Sequence, residues 1–185
     1  MENELSRRGF LEAGAAAAGL ALLDGSAQAQ AAVPPDQGAA KLSQFPYRSV
    51  ELLEGPALEQ FNANHAFFLA LSEDSMLKPF RQKAGLPAPG EDMGGWYSFS
   101  DEFDPPNNMT GYVPGHSFGQ YLSGLARAYG VTGNKATQAK VHRLVRGFGE
   151  AVSPKFYVNY PLPCYTFDKS NCGLIDAHQF AKDPD

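Results

Sequence analysis

Apolar positions between residues 116 and 152 fall into two helical stripes. Phe118, Tyr121, Leu122, Leu125, Ala126 and Tyr129 recur at i, i+3, i+4, i+7, i+8 and i+11, which predicts one amphipathic helix from His116 onward. Thr132-Gly133-Asn134 carries the stop signal, and Val141, Leu144, Val145, Phe148 and Val152 then form a second stripe closed by Ser153-Pro154. Two helices joined by so short a turn make an αα-hairpin. A third helix is expected after Pro163, running through Leu174, Ile175 and His178 to Asp183-Pro184. Upstream, Phe61, His65, Phe68 and Leu71 stand at helical spacing over 56–71, Ser72-Glu73-Asp74-Ser75 interrupts with capping chemistry, and a short helix should follow over 75–83.

The stretch 85–115 differs in kind. Its glycines and prolines, from Gly85 and Pro87 to Pro114 and Gly115, break every periodic pattern. A segment of that length inside a domain is functional or disordered, and the aromatic residues Trp96, Tyr97, Phe99, Phe103 and Tyr112 argue against disorder. Laid over the first helix of the hairpin at an offset of forty-nine, the third repeats Phe118 as Phe167, Gly124 as Gly173, Leu125 as Leu174 and Ala128 as Ala177. Helix, turn and helix at such a period is how helical toroids and solenoids look in sequence. Lys182-Asp183-Pro184-Asp185 takes the place of the turn at Val131 to Asn134. The third stripe then has no following partner, and the chain is expected to be a fragment of a longer one.

The N-terminal segment changes the setting of this helical domain. A polar start, then Ser6-Arg7-Arg8-Gly9-Phe10-Leu11, then an apolar run from Ala13 to Leu23 has the order of a secretory leader of the twin-arginine type. Ala27, Ala29 and Ala31 offer cleavage sites, and the apolar run falls short of the roughly 20 residues a bilayer span needs. The expected organisation is a leader over 1–30, a flexible Ala/Gln/Pro/Gly linker over 31–48 and a helical domain over 49–185. No stable membrane anchor is expected, and the product is placed in the periplasm or outside the cell by the twin-arginine machinery. A net charge of −5 without a Lys/Arg cluster excludes a nucleic-acid partner. Cys164 and Cys172 would lie about 12 Å apart along one helix, too far for a disulfide, and are expected to be buried thiols.

Five blocks carry a resemblance. They are Leu77-Lys78-Pro79-Phe80-Arg81; Ala84-Gly85-Leu86-Pro87; Gly94-Gly95-Trp96; the run from Gly115-His116-Ser117-Phe118-Gly119-Gln120-Tyr121-Leu122 to Ala126; and Tyr165-Thr166-Phe167-Asp168-Lys169 with Gly173-Leu174-Ile175-Asp176-Ala177. In order and spacing they resemble the N-terminal part of glycoside hydrolase family 127, the β-L-arabinofuranosidases built on a six-hairpin α/α toroid. The resemblance implies an all-α fold, an incomplete α/α toroid of first hairpins, and a carbohydrate substrate. Family members commonly show G-H-x-x-G-H-Y-L and Y-T-x-H-K at these places, with histidines facing the sugar. Here His116 stands where the first histidine belongs, Gln120 replaces the second, and Asp168 replaces that of the other block. The zinc, the cysteine nucleophile and the glutamate acid/base of the family belong to later blocks. Neither Cys164 nor Cys172 stands in a matching motif, so no catalytic role and no cofactor is carried over to this chain, whereas zinc is implied for a full-length member.

Trp96, His116, Gln120, Tyr165, Asp168 and Lys169 are therefore the candidate substrate-binding residues. An amphipathic, rigid indole after a Gly-Gly turn suits stacking on a sugar face, and equally suits plugging a core. His116 and Gln120 share a helical face with Ser123 and Arg127, which periodicity alone would leave solvated. Asp168 in the first turn of the third helix would also be favoured by the helix dipole whatever the function. His65, His142 and His178 are scattered and expected to be structural, and Asp101, Glu102 and Asp104 form an acidic cluster in the irregular segment. The leading expectation is an exported glycosidase of the β-L-arabinofuranosidase type whose present residues do not turn over substrate alone. A non-catalytic carbohydrate-binding relative and a helical repeat that binds protein partners are the alternatives.

Overall fold

The structure is a computed structural model and describes residues 46–184 apart from 101, 103–106, 154 and 161. The leader over 1–30 and the linker up to residue 45 lie outside the described residues. Within them the architecture is all-α, as a first portion of an α/α toroid requires. Five α-helices run in order: α1 Pro56–Ala70, α2 Glu73–Lys83, α3 Val113–Thr132, α4 Lys135–Ala151 and α5 Pro163–Ala181, with single 3-10 turns at Tyr47–Ser49, Gly95–Tyr97 and Tyr157–Asn159. No helix of the described residues is long and apolar enough to cross a membrane.

Each boundary has a local cause. Ser72 caps α2 by accepting from the Ser75 amide at 3.3 Å, and Asn134 caps α4 by accepting from the amides of Ala136 and Thr137. Helices α3 and α5 both start on a proline in the first turn, Pro114 and Pro163, where the missing N–H is an orphan anyway. They also end alike, on left-handed residues at Gly133 (φ 64°) and Lys182 (φ 58°). Both pairs stand at the forty-nine-residue offset, so the repeat extends to the helix ends. Lysine is disfavoured in that conformation, and the bond from the Asp183 amide to the Ala177 carbonyl at 3.2 Å holds it there.

The core is built by two layers of parallel pairs. In one layer α2 and α4 run side by side, joined by Glu73 on Arg143, Leu77 over Gly147 and Phe80 edge-on to Phe148 at 5.1 Å. In the other α3 and α5 run parallel and much closer. A Cβ on Gly119 would lie 2.0 Å from the Lys169 carbonyl oxygen, and one on Gly173 would lie 2.4 Å from that of Gly119. Ser170 donates to the Gly115 carbonyl at 3.2 Å, and Ser123 and Arg127 both donate to the buried Asp176 carboxylate, at 2.5 and 2.7 Å. Small residues thus let two backbones approach, and polar bonds fix their register. Phe80, Phe118, Phe148 and Phe156 fill the space between the layers, together with Leu77, Leu122, Leu125, Val141 and Leu144.

Several expectations differ from what forms. The α1 helix is present, but none of its residues is buried, because its apolar residues are spread round the helix and Phe68 stays 43% exposed. Tyr47, assigned to the linker, packs edge-on against Phe180 at 5.1 Å and accepts from Arg127. Cys164 and Cys172 are free, as the helical spacing requires, yet both are exposed and not buried. On the face of α5 that carries them, Phe167 and Ile175 are also more than half exposed. Phe118, the residue that Phe167 repeats, is fully buried in α3.

Candidate functional site

Parallel packing of α3 on α5 brings their N-terminal ends together, and the sequence-assigned residues His116, Tyr165 and Lys169 meet there. His116 is the fourth residue of α3, its ring 5.6 Å from that of Tyr165 in the first turn of α5. Lys169 places its ammonium 5.2 Å from the Tyr165 ring centre. Asp168 joins through Lys169, its carboxylate accepting from the ammonium at 2.8 Å. Asp168 is the sixth residue of α5, because Pro163 starts that helix earlier than a helix beginning at Tyr165 would. It therefore lies beyond the first turn, and the dipole argument for it falls away.

Tyr112, which sequence reasoning did not select, completes the cluster. Its ring stacks on Tyr165 at 6.4 Å with planes only 19° apart and lies 5.1 Å from His116. Burial, then the Tyr165 phenol, push the Tyr112 hydroxyl above the ordinary tyrosine value. His116 is held below the ordinary histidine value by burial, which outweighs the opposing effect of the Tyr112 backbone, and the Lys169 charge lowers it a little further. Its Nδ1 is shut off from solvent without a partner in normal hydrogen-bond geometry, and its Nε2 lies 3.5 Å from Ser117 Oγ. The ring therefore favours the neutral imidazole, with Nδ1 facing inward and Nε2 on the side of Ser117.

Gln120 and Trp96 are placed differently. Gln120 is exposed one turn after His116 and faces a cleft, while Ser123 and Arg127 turn the other way to bind Asp176. The single polar face expected for these four residues is thus split, because α5 packs against only one side of it. Trp96 sits on the 3-10 turn at Gly95–Tyr97, is 58% exposed, and stacks on no other ring among the described residues. It is not plugging the core. That role belongs to its neighbour Tyr97, whose hydroxyl donates to the Met76 carbonyl at 2.9 Å.

The cleft beside Gln120 has a volume of about 350 Å³. Phe68, Leu71, Met76, Met93, Tyr97 and Tyr121 supply its apolar walls, and Val113, Ser117, Gln120 and Gly124 of α3 supply the rest. Of the loop acids, Glu102 is exposed and its backbone bonds Ser100, while Asp101 and Asp104 lie outside the described residues. His65 pairs with Thr137 at 2.8 Å, His142 with the Ala181 carbonyl and His178 with the Asp183 carbonyl, both at 2.9 Å. No three His, Cys, Asp or Glu side chains gather as a metal ligand set among the described residues.

Residues 49–161 match the family described as beta-L-arabinofuranosidase, GH127 catalytic domain. The chain belongs to this glycoside hydrolase family. No curated protein and no solved structure matches it. In this GH127 chain the matched span contains Trp96, His116, Gln120 and Tyr112, and stops before Tyr165, Asp168 and Lys169. Those last three are tied to it by the α3–α5 contact. Zinc bound by cysteines does not fit the residues present. Cys164 and Cys172 are exposed, eight positions apart on one helix and, among the described residues, not gathered with a third ligand.

Proposed function

We propose that this GH127 chain binds a terminal arabinofuranose of a plant-type glycan at the joined N-terminal ends of α3 and α5, within an exported β-L-arabinofuranosidase. The observation that carries the reading is the cluster of Tyr112, His116, Tyr165 and Lys169, assembled from two helices inside a glycosidase family domain. Each member suits a sugar. Aromatic rings offer flat apolar faces to the C–H side of a furanose, and their hydroxyl ends offer donors. A neutral imidazole accepts or donates, and the Asp168–Lys169 pair presents acceptor and donor together. Gln120 takes a sugar hydroxyl through its amide, and the exposed Trp96 offers a ring face for stacking from the loop before α3.

Bond cleavage is not assigned to any residue described, since the two exposed cysteines do not make the thiolate centre the family's chemistry calls for. Calorimetric titration of the protein with methyl β-L-arabinofuranoside tests the binding. His116→Ala and Trp96→Ala should each weaken it by tenfold or more, and unchanged affinity in both removes the site. Export by the twin-arginine route to the periplasm or beyond rests on Arg7-Arg8 followed by Phe10-Leu11. Changing Arg7 and Arg8 to Lys should keep the product in the cytoplasm, and normal export of that variant overturns the route.

A further inference from the structure

The cleft that Gln120 faces is a second compartment whose lining selects a different kind of group. We propose that it receives an uncharged aromatic aglycone attached to the sugar, so that the preferred ligand is an aryl glycoside. This rests on the sugar reading of the His116 cluster and adds what lies on the other side of the glycosidic oxygen.

Three observations carry it. The lining contains no charged side chain: Phe68, Met76, Met93, Tyr97 and Tyr121 form most of the wall. An apolar cavity of roughly 150 Å³ is enough to hold a benzene ring, and this one measures about 350 Å³. Next, both tyrosine hydroxyls are spent on the protein, Tyr97 donating to the Met76 carbonyl and Tyr121 to the Phe68 carbonyl, each at 2.9 Å. What these residues turn to the cleft is ring surface, which suits another ring, and thioether sulfur adds to that preference. Finally, the polar side chains of the lining are confined to α3. Ser117, one of them, lies 3.5 Å from His116 Nε2, and Gln120 follows His116 by one helical turn. The hydrogen-bonding edge of the apolar compartment is thus the part of it that adjoins His116, the order a ligand with one polar and one apolar end requires.

Gly124 makes the proposal testable without disturbing the fold. A Cβ there meets nothing within 4 Å, so a larger side chain grows into the cleft. The protein is titrated by calorimetry with 4-nitrophenyl β-L-arabinofuranoside and with methyl β-L-arabinofuranoside. The aryl glycoside should bind at least tenfold tighter. In Gly124→Leu that preference should vanish while the affinity for the methyl glycoside stays as it was. Met93→Asp, which sets a carboxylate at a rim position 44% exposed, should abolish the preference in the same way and decides the matter if Gly124→Leu fails to fold. Equal affinity for the two glycosides overturns the aromatic compartment and leaves the sugar site standing. Retention of the aryl preference in both variants also overturns it. Binding of neither glycoside overturns both readings at once.

Discussion

Replacing Gly119 by Ala adds one methyl group at the closest point of the α3–α5 contact. Its Cβ would lie 2.0 Å from the Lys169 carbonyl oxygen and 2.5 Å from the carbonyl carbon, where ordinary contact begins at 3.4 Å. The obstacle is backbone, so no side-chain rotation relieves an overlap of about 1.4 Å, and the helices must separate. Separation on that scale forfeits a large share of the dispersion attraction between them and strains the bonds from Ser123 and Arg127 to Asp176. Overpacking of this kind costs about 1–3 kcal/mol or more, against a gain of about 0.5–1 kcal/mol from replacing a mid-helix glycine. The net expectation is destabilisation by about 2 kcal/mol, a fall in Tm of roughly 6–10 °C. Gly124→Ala is the internal control, being the same substitution in the same helix where the new methyl meets nothing within 4 Å. It should stabilise by about 0.5–1 kcal/mol. Both are read by thermal and urea unfolding followed by circular dichroism. A Gly119→Ala protein as stable as Gly124→Ala would refute the close parallel packing.

Other expectations follow from the polar contacts. Burial lowers the pKa of His65 and of His116 from 6.5, so below that value the unfolded chain binds more protons than the folded one, and stability falls as pH drops through the window until the folded values are passed. Urea midpoints at about pH 7.5 and 5.5 should show a smaller acid-linked loss in the double variant His65→Gln/His116→Gln than in the parent; an equal loss would contradict it. Arg127→Met leaves the buried Asp176 carboxylate with Ser123 alone and should cost about 1–3 kcal/mol, toward the low end because the guanidinium is partly exposed; an unchanged urea midpoint would count against the pair. Lys140 donates to the Leu69 and Leu71 carbonyls at the end of α1, so Lys140→Met should speed amide hydrogen exchange over 56–70 more than in α3, and a uniform change would show no such clamp.

How far the fold could be read depended on what held each element. The stripes of α3 and α4 were legible because Phe118, Leu122, Leu125, Val141, Leu144 and Phe148 are apolar and buried at helical spacing. The α3–α5 contact, the closest in the domain, leaves almost no hydrophobic signal, since Gly119, Ser170, Gly173 and Ala177 make it by being small. The forty-nine-residue repeat related the two helices in sequence without showing that they touch, and the structure extends it to Pro114 with Pro163 and Gly133 with Lys182. In the site, His116 and Tyr165 were legible only through the sequence blocks that resemble the family, since periodicity alone would leave His116 on a solvated face. Tyr112 was not, because it ends a stretch of glycines and prolines where periodicity carries nothing. The apolar cleft was hidden for another reason: Phe68, Met76, Tyr97 and Tyr121 come from four separate segments, and only packing makes them neighbours. The exposed thiols of Cys164 and Cys172 were misplaced because cysteine is usually buried, whereas the helix face they occupy is uncovered here.

The account's central claim is that a sugar sits against the N-terminal ends of α3 and α5, and the chain's four histidines report on it directly. Imidazole resonances are followed by nuclear magnetic resonance while methyl β-L-arabinofuranoside is added. The resonances of His116 should shift with saturation, while those of His65, His142 and His178, each bonded within the protein, stay in place. A titration in which His116 does not move, or in which another histidine moves in its stead, would contradict the claim.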